Sequence, residues 1–352
     1  MKLCEMQNIT FQVLKQDRLG GLKNLVAAWN NLRGEPLGMS SYPLIAQIEP
    51  TLYCNLKCEM CVNPLGKRTR RHMSLDEFRR VVESLKFVRK LSLVGAGEPL
   101  LNPDLFGMIR YAKSKGIHTG FATNGMLLDD SVCGRIVESG VDWVNISVDS
   151  ADSAKFKSIR KGADLGVLRK NIKRLVRIKG KKNLPELSIW FVIMRDNFSE
   201  LPRVIELSKD AGIRIVSAQM EHSWNDDSLR EKMALFPRED FMKEVKEMLK
   251  KAEETALAKG VKFGYVNVPD TGTKRSCKWP WKSCYITAEG FVTPCCLQGS
   301  DPGVMNFGNI LKEDFDQIWN GFGYRKFREM LKSDKLPSIC KGCTSYYGKI
   351  RI

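Results

Sequence analysis

Residues 44–61 read LIAQIEPTLYCNLKCEMC. A strand-forming run, Leu44–Ile48, enters a short loop that carries Cys54, Cys58 and Cys61 at spacings of four and three. Three thiolates on one short loop can hold three corners of a cubane iron–sulfur cluster, whose fourth iron then lacks a protein ligand. An open coordination position is how a metal site takes up a substrate or cofactor. A structural zinc site is the competing reading. Zinc wants four closed ligands, commonly as two CxxC-like pairs, and no fourth ligand lies nearby in sequence.

Outward from this stretch, strand, loop and helix alternate to about residue 265. The strand candidates after the first are Lys90–Val94, His118–Ala122, Trp143–Val148, Leu187–Met194 and Ile213–Ala218, short and rich in β-branched residues. Between them lie amphipathic stretches Leu75–Leu85, Asp104–Lys115, Asp130–Ser139, Leu165–Arg177 and Glu200–Ala211. Ser74 with Glu77 three residues on forms a capping-box pattern, and Gly116, Gly140 and Gly212 fall where a C′ glycine closes a helix. Strict alternation means parallel strands joined by right-handed crossovers. Six units make either a doubly wound sheet or a barrel that does not fully close. In both, ligands gather at the C-terminal strand ends, so chemical residues should come directly after each strand.

Before this core, Leu19, Leu22, Leu25, Val26, Trp29 and Leu32 share one helical face, expected to pack against the barrel rather than lie on a membrane. After it, residues 236–259 form a long charged helix. From Val266 the texture changes to Pro, Gly, Trp and clustered Cys, with a helical period returning only at Asp314–Leu331. The expected division is a helical arm over 1–43, the α/β core over 44–265, and a small irregular domain over 266–352 held by metal.

The Cx3Cx2C loop at the end of the first strand of a βα repeat resembles the radical S-adenosylmethionine superfamily. In that family the open iron binds the amino and carboxylate groups of S-adenosylmethionine. Reduction of the cluster cleaves the sulfonium bond, giving a 5′-deoxyadenosyl radical that abstracts hydrogen from substrate. Later strand ends carry similar marks. Gly95-Ala96-Gly97-Glu98-Pro99 is similar to the family's GGEP motif, with Ala96 the departure. A glycine there lets backbone approach a ligand, and Glu98 can balance an ammonium. Thr123-Asn124-Gly125 is like the TNG turn, and Ser147-Val148-Asp149-Ser150 falls where polar residues touch ribose and methionine groups. Arg160 and Gly162 resemble an Arg-x-Gly that pairs with the cofactor carboxylate. Singly each is weak, since Asn-Gly is first a turn signal and Asp149 could cap a helix. In order on successive strand ends, over roughly residues 44–220, they imply a partial (β/α)6 barrel. They also imply Met60, Gly97, Glu98, Asn124, Ser147, Asp149 and Arg160 as cofactor-binding residues, and Cys54, Cys58 and Cys61 as ligands of the S-adenosylmethionine-binding [4Fe–4S] cluster.

The C-terminal cysteines are Cys277, Cys284, Cys295, Cys296, Cys340 and Cys343. The pattern C-x12-G-x4-C followed by CxxC resembles the SPASM or shortened "twitch" domain of such enzymes. The resemblance implies one auxiliary [4Fe–4S] cluster on Cys277, Cys295, Cys340 and Cys343, because the chain ends nine residues after Cys343 and the further cysteines of a two-cluster domain are missing. Cys284 stands as the alternative to Cys277, and the sequence leaves that choice open. A four-cysteine zinc ribbon is the other reading, weakened by a single CxxC. Cys4 and Cys133 are lone thiols.

Composition bounds the rest. With 57 Lys+Arg against 40 Asp+Glu, the chain carries net charge +17 and should attract nucleic acid, anionic lipid or phosphorylated and carboxylated substrates. Two runs concentrate the charge, KRTRRH at Lys67–His72 and KNIKRLVRIKGKK at Lys170–Lys182, and a solvated basic surface is the plain reading. No apolar run approaches the ~18–20 residues that span a bilayer. The N-terminus lacks a signal peptide's apolar core, so cytoplasm is the expected compartment. There, an odd eleven cysteines argue for metal binding or catalysis over disulfides.

The resemblance therefore implies a radical enzyme that abstracts hydrogen and oxidises the product radical through the auxiliary cluster. Its reducing partner would be a flavodoxin or ferredoxin. The expected substrate is an anionic small molecule met by KRTRRH, since residues 1–43 are short for a peptide-recognition domain. A peptide maturase is the alternative, then a lipid-modifying enzyme with peripheral membrane contact. A non-catalytic iron–sulfur or zinc protein on nucleic acid would explain the charge but not the strand-end series, and no stable nucleic-acid partner is expected. Catalytic acids and bases stay unassigned. The histidines are His72, His118 and His222, and Met194, Arg195, Gln219 and Glu221 lie near the ends of strands five and six.

Overall fold

Seven parallel strands succeed one another in chain order, each hydrogen-bonded to the next. They are β1 (Ile45–Ile48), β2 (Lys90–Leu93), β3 (His118–Thr123), β4 (Trp143–Ser147), β5 (Glu186–Ile193), β6 (Ile215–Met220) and β7 (Lys262–Pro269). The computed structural model describes residues 18–61, 68–220, 227–235, 239–269, 277–297, 300–341 and 343–351. Strand order decides between the two architectures open from sequence. A doubly wound sheet reverses order at a switch point, whereas here the order never reverses. Right-handed crossovers without reversal put every helix on one side, which is the geometry of a partial barrel. The six expected strands are all present, and β7 adds a seventh across the expected 265/266 boundary.

The helices are α1 (Arg18–Gly34), α2 (Leu75–Ser84), α3 (Leu105–Ser114), α4 (Asp130–Glu138), α5 (Ser153–Ile159), α6 (Leu165–Lys179), α7 (Leu201–Asp210), α8 (Asp227–Met233) and α9 (Glu239–Lys259). Their ends obey local chemistry. Ser74 and Glu77 form the reciprocal capping box of α2. Gly116, Gly140 and Gly212 take positive φ of 69°, 72° and 85° beyond the helices they close. Along the strands, Ala46, Ile48, Leu91, Leu93, Val144 and Ile146 are wholly buried, whereas the alternate residues Gln47, Ser92, Asn145, Ser147 and Gln219 are half-buried. Parallel strands buried on both faces read apolar throughout. The alternation therefore marks an inner face that lines a polar hollow.

The C-terminal region joins the same sheet. After α10 (Trp279–Lys282), β8 (Ser283–Ile286) pairs in parallel with the free edge of β1, setting Cys284 opposite Ala46 and Tyr285 opposite Gln47. β9 (Val292–Thr293) turns back antiparallel on β8. The single helix expected over Asp314–Leu331 is two, α11 (Phe315–Trp319) and α12 (Phe322–Lys332). They break at Gly321, where a Cβ would lie 2.4 Å from the Gln317 carbonyl oxygen. Beyond α13 (Thr344–Tyr347), β10 (Gly348–Arg351) pairs antiparallel with β7 at the far edge. Among the described residues, no helix is long and apolar enough to cross a membrane.

α1 departs from expectation. Leu25 and Ala28 face the core, but Leu19, Leu22, Val26 and Trp29 are exposed. Two amides turn the helix. Asn24 accepts from the Tyr42 N–H at 2.7 Å, and Asn31 donates to the Ser41 hydroxyl at 2.8 Å. Burying these hydrogen-bonded amides fixes the inward face, and a helix with apolar residues all round must leave some outside.

Candidate functional site

The strand ends converge as the sequence implied. The loop after β1 is held by backbone bonds from the Lys57 N–H to the Lys161 carbonyl and from the Glu59 N–H to the Ile159 carbonyl, both 2.9 Å. That pairing sets Arg160 against the loop, where its Nη1 donates to Cys58 Sγ at 3.9 Å. Cys61 Sγ donates to the Ala96 carbonyl at 3.9 Å, so two of the three thiols face the marks found on later strands. Burial pushes the Cys54 and Cys58 thiols above their ordinary range, against the pull of Arg160. Thiols in that state become ligands only as a metal displaces their protons.

Gly97 and Glu98 build the loop after β2. A Cβ on Gly97 would stand 2.2 Å from the Thr51 carbonyl oxygen and 2.7 Å from that of Tyr53, so only glycine fits this crossing of two backbones. Glu98 is buried, and its carboxylate accepts from the Asn124 N–H at 2.8 Å and the Leu100 N–H at 3.2 Å. Burial pushes its carboxyl up to about 6, despite those bonds. The Glu98 side chain thus welds β2 to β3 from inside. Asn124 completes the weld by donating to the Asn55 side chain in the cysteine loop at 2.8 Å.

Asp149 and Arg160 form a buried pair. Arg160 Nε donates to Asp149 Oδ2 at 2.6 Å, and the Val192 N–H donates to Oδ1 at 2.9 Å. Asp149 does not cap a helix; Asp152 caps α5. Asn197 was missed by sequence reasoning. It is fully buried, donates to the Asp149 and Val192 carbonyls at 2.9 Å each, and accepts from the Met194 N–H at 2.7 Å. Its place just past β5 was the available signal, by the strand-end rule that found the others. Ser147 is the last residue of β4, half-buried on the inner face.

Met60 packs with Ile159, Met194 and Met233 in an apolar cluster that also touches Cys58. A cavity of ≈ 450 Å³ opens beside it, lined by Ile159, Met194, Met233, Glu59, Lys155 and Asp196 among others. Lys232 of α8 closes over this side by pairing with Glu59. Arg195 covers the Phe241 ring at 5.2 Å rather than entering the hollow, and Gln219 is half-buried on the inner face. Glu221 and His222 lie outside the described residues.

Two arginines of the basic segment KRTRRH are engaged within the protein. Lys67 lies outside the described residues. Arg68 pairs with Glu49 and with Glu289, and Arg71 pairs with Glu77. His72 bonds Thr51 at 2.9 Å and stacks on Tyr53 with ring centroids 4.5 Å apart. Among its described residues, Arg70 and Thr69 are the exposed members.

In the C-terminal region, Cys277, Cys340 and Cys343 share one neighbourhood. Burial drives the Cys340 thiol up, and the charges of Cys343 and Cys277 add to it. Burial pushes Cys277 up to about 11 with Cys343 adding, and Cys296 up to about 12 with Cys277 and Cys343 adding. Cys296, left spare by the spacing, therefore shares this environment beside Cys295, whose charge is felt by the buried Tyr324. Cys284 is different. It sits in β8 within the main apolar core, and only burial acts on its thiol. Cys133 is buried in α4, and Cys4 lies outside the described residues. Among the described residues, no three His, Cys, Asp or Glu groups converge tightly enough to hold a single metal ion. In a cubane each thiolate takes a different iron, so its sulfurs stand further apart than those round one ion.

Residues 48–206 match the radical SAM superfamily model, and residues 277–344 match that of the iron-sulfur cluster-binding SPASM domain. The chain carries a radical SAM domain followed by a SPASM domain. It is 25% identical over 316 residues to the tungsten-containing aldehyde ferredoxin oxidoreductase cofactor-modifying protein of Pyrococcus furiosus, covering 84% of this chain and 86% of that one. It is 27% identical over 310 residues to the PqqA peptide cyclase of Granulibacter bethesdensis, covering 86% and 79%. In fold it resembles Streptococcus suis SuiB bound to precursor peptide SuiA, with TM-score 0.68 at 17% identity over 93% of this chain and 74% of that one.

This radical SAM enzyme takes a [4Fe–4S] cluster and S-adenosylmethionine, and its SPASM domain takes auxiliary iron–sulfur. The residues present fit those groups. Three thiols stand on one loop, a glycine cradle excludes any Cβ, and a buried guanidinium faces a cysteine sulfur.

Proposed function

We propose that this enzyme modifies a side chain of a peptide substrate, admitted to the polar hollow lined by the barrel's inner face. The observation that carries this reading is the internal engagement of Arg68 and Arg71, which leaves Arg70 as the exposed arginine among the described residues of the segment expected to meet an anionic small molecule. The likeness to a PqqA peptide cyclase over most of the chain supports it. So does the inner face, whose Gln47, Ser92, Asn145 and Gln219 offer the amides and hydroxyls that peptide backbone needs.

When bound, the cluster and S-adenosylmethionine supply hydrogen-atom abstraction. The chain's own residues do the positioning. Cys54, Cys58 and Cys61 hold the first cluster. Arg160, fixed by Asp149, would present its charge to the cofactor carboxylate, and Gly97 would hold the loop after β2 close to the cysteine loop. Met60, with Ile159 and Met194, would offer an apolar wall to the cofactor, and Ser147 and Asn124 would meet its polar groups. Cys277, Cys295, Cys340 and Cys343 hold the auxiliary cluster, with Cys296 beside it.

The test is anaerobic reconstitution with dithionite and S-adenosylmethionine, followed by separate panels of precursor-type peptides and small anionic metabolites. Formation of 5′-deoxyadenosine that depends on a peptide and accompanies a change in that peptide's mass is the expected result. Substrate-dependent formation with the anionic metabolites alone would overturn the peptide reading.

A further inference from the structure

Outside the cysteine loops, a group of charged side chains lies at the junction of the barrel with the C-terminal region. At its centre is Glu49, the residue after β1, whose side chain is 0% exposed. Its carboxylate receives five donors. Arg68 Nη2 donates to Oε2 at 2.5 Å and Nη1 to Oε1 at 3.3 Å. The Ala96 N–H donates to Oε1 at 2.8 Å, the Tyr285 hydroxyl to Oε1 at 3.3 Å, and the Ala288 N–H to Oε2 at 3.1 Å. Arg68 then reaches Glu289, with Nε donating to Oε1 at 3.1 Å.

These partners have two origins. Ala96 belongs to the Gly95–Pro99 loop, and its carbonyl is the group that meets Cys61. Tyr285, Ala288 and Glu289 belong to the C-terminal region. Gly95 is glycine because of this side chain, since a Cβ there would lie 2.3 Å from Glu49 Cγ. The segment carrying Arg68 runs back along the exit of β1, with the Leu52 N–H donating to the Arg71 carbonyl and the Met73 N–H to the Pro50 carbonyl, both at 2.9 Å. The Ala96 N–H is therefore gripped by a carboxylate whose other donors come from both the barrel segment at Arg68 and the C-terminal region.

We propose that Glu49 and Arg68 form a clasp through which the seating of the C-terminal domain positions the Gly95–Pro99 loop and so sets the affinity for S-adenosylmethionine. Glu49, Arg68 and Glu289 are positioning residues, acting through the Ala96 peptide. A charge held by a bidentate guanidinium fork fixes direction as well as distance, which a packed apolar contact does not. The clasp rests on the cofactor assignment and is independent of the substrate class.

The experiment uses the full-length reconstituted enzyme. Glu289→Ala removes the outermost member, which is partly exposed, and Arg68→Lys keeps the charge but loses the fork. S-Adenosylmethionine binding is read by equilibrium dialysis and by the change it makes in the electron paramagnetic resonance spectrum of the reduced cluster. Iron content and circular dichroism run alongside. The expected result is a weakening of about tenfold in each variant, within the usual range of coupling between two sites, with iron and fold unchanged. Wild-type affinity in both variants would overturn the clasp. So would a loss of affinity that merely tracks lost folded protein. Failure of the wild-type protein to bind S-adenosylmethionine would instead sink the cofactor reading beneath it.

Discussion

Replacing Asp149 by asparagine tests the buried pair that anchors Arg160. The carboxylate is completely buried, with Oδ2 taking Arg160 Nε at 2.6 Å and Oδ1 taking the Val192 N–H at 2.9 Å. Asparagine keeps the shape and the bond to Val192 but turns an amide N–H₂ toward a guanidinium that also donates. Arg160 is then a nearly buried cation without its counter-charge. Breaking a buried pair by removing one partner costs about 3–5 kcal/mol, most of it the uncompensated charge left behind. For 352 residues unfolding as one unit, an entropy of about 2.1 cal/mol/K per residue gives roughly 0.7 kcal/mol/K at the midpoint. The apo protein should therefore melt about 4–7 °C lower. Differential scanning calorimetry of wild type, Asp149→Asn, Arg160→Gln and the double variant reads this directly. The double variant should recover about 2 kcal/mol relative to the sum of the singles, since neither charge is then stranded. Strict additivity, or a single variant melting within a degree of wild type, would refute the pair as a coupled buried unit.

Gly97→Ala should destabilise by about 1–3 kcal/mol and impair S-adenosylmethionine binding, because its Cβ meets two backbone oxygens that cannot rotate away; a wild-type melt would show that the loop yields. Burial raises the Glu98 carboxyl from 4.5 to about 6, so the folded state holds that proton more tightly than the unfolded chain. Its contribution is present below pH 4.5 and lost as pH rises to 6, worth about 2 kcal/mol, and Glu98→Gln should flatten that slope in denaturant titrations of the apo protein. Stability curves that run parallel with pH for the two proteins would contradict it. Cys277→Ala, Cys340→Ala and Cys343→Ala should each lose about four irons per chain after reconstitution, and Cys284→Ala should lose none; iron lost on replacing Cys284 would sink its placement in the core.

Much of the barrel was legible because two periodicities and the strand-end rule act within short windows. The Cys54 loop, Gly97, Asn124 and Asp149 were found by looking just past each strand, and Glu49 and Asn197 satisfy the same test. They escaped because an acid before proline and an asparagine in a turn look ordinary in sequence. The illegible part depends on distant partners. Arg68 reads as one charge in a basic run, yet its partner Glu289 lies 221 residues away. β8 is four residues whose pairing with β1 spans the whole barrel, so the C-terminal region looked like an appendage. The face chosen by α1 was hidden for another reason: apolar residues surround it, and two amides break the tie.

The junction itself is informative because charge is a poor way to build adhesion. A buried ion pair gains little over well-packed apolar side chains, since desolvation offsets most of the attraction. β8 already joins β1 through backbone hydrogen bonds, and Cys284 and Ile286 are buried in the common core. Cohesion between the two regions therefore does not require Glu49. Its five donors add orientation, and among them is the N–H of Ala96, the residue whose carbonyl meets Cys61. Tyr285 extends the argument, since its buried phenol donates to Glu49 from β8, the strand that pairs with β1. A shift of β8 against β1 moves that donor and the Ala288 N–H together, so the seating of the C-terminal region is felt at Glu49.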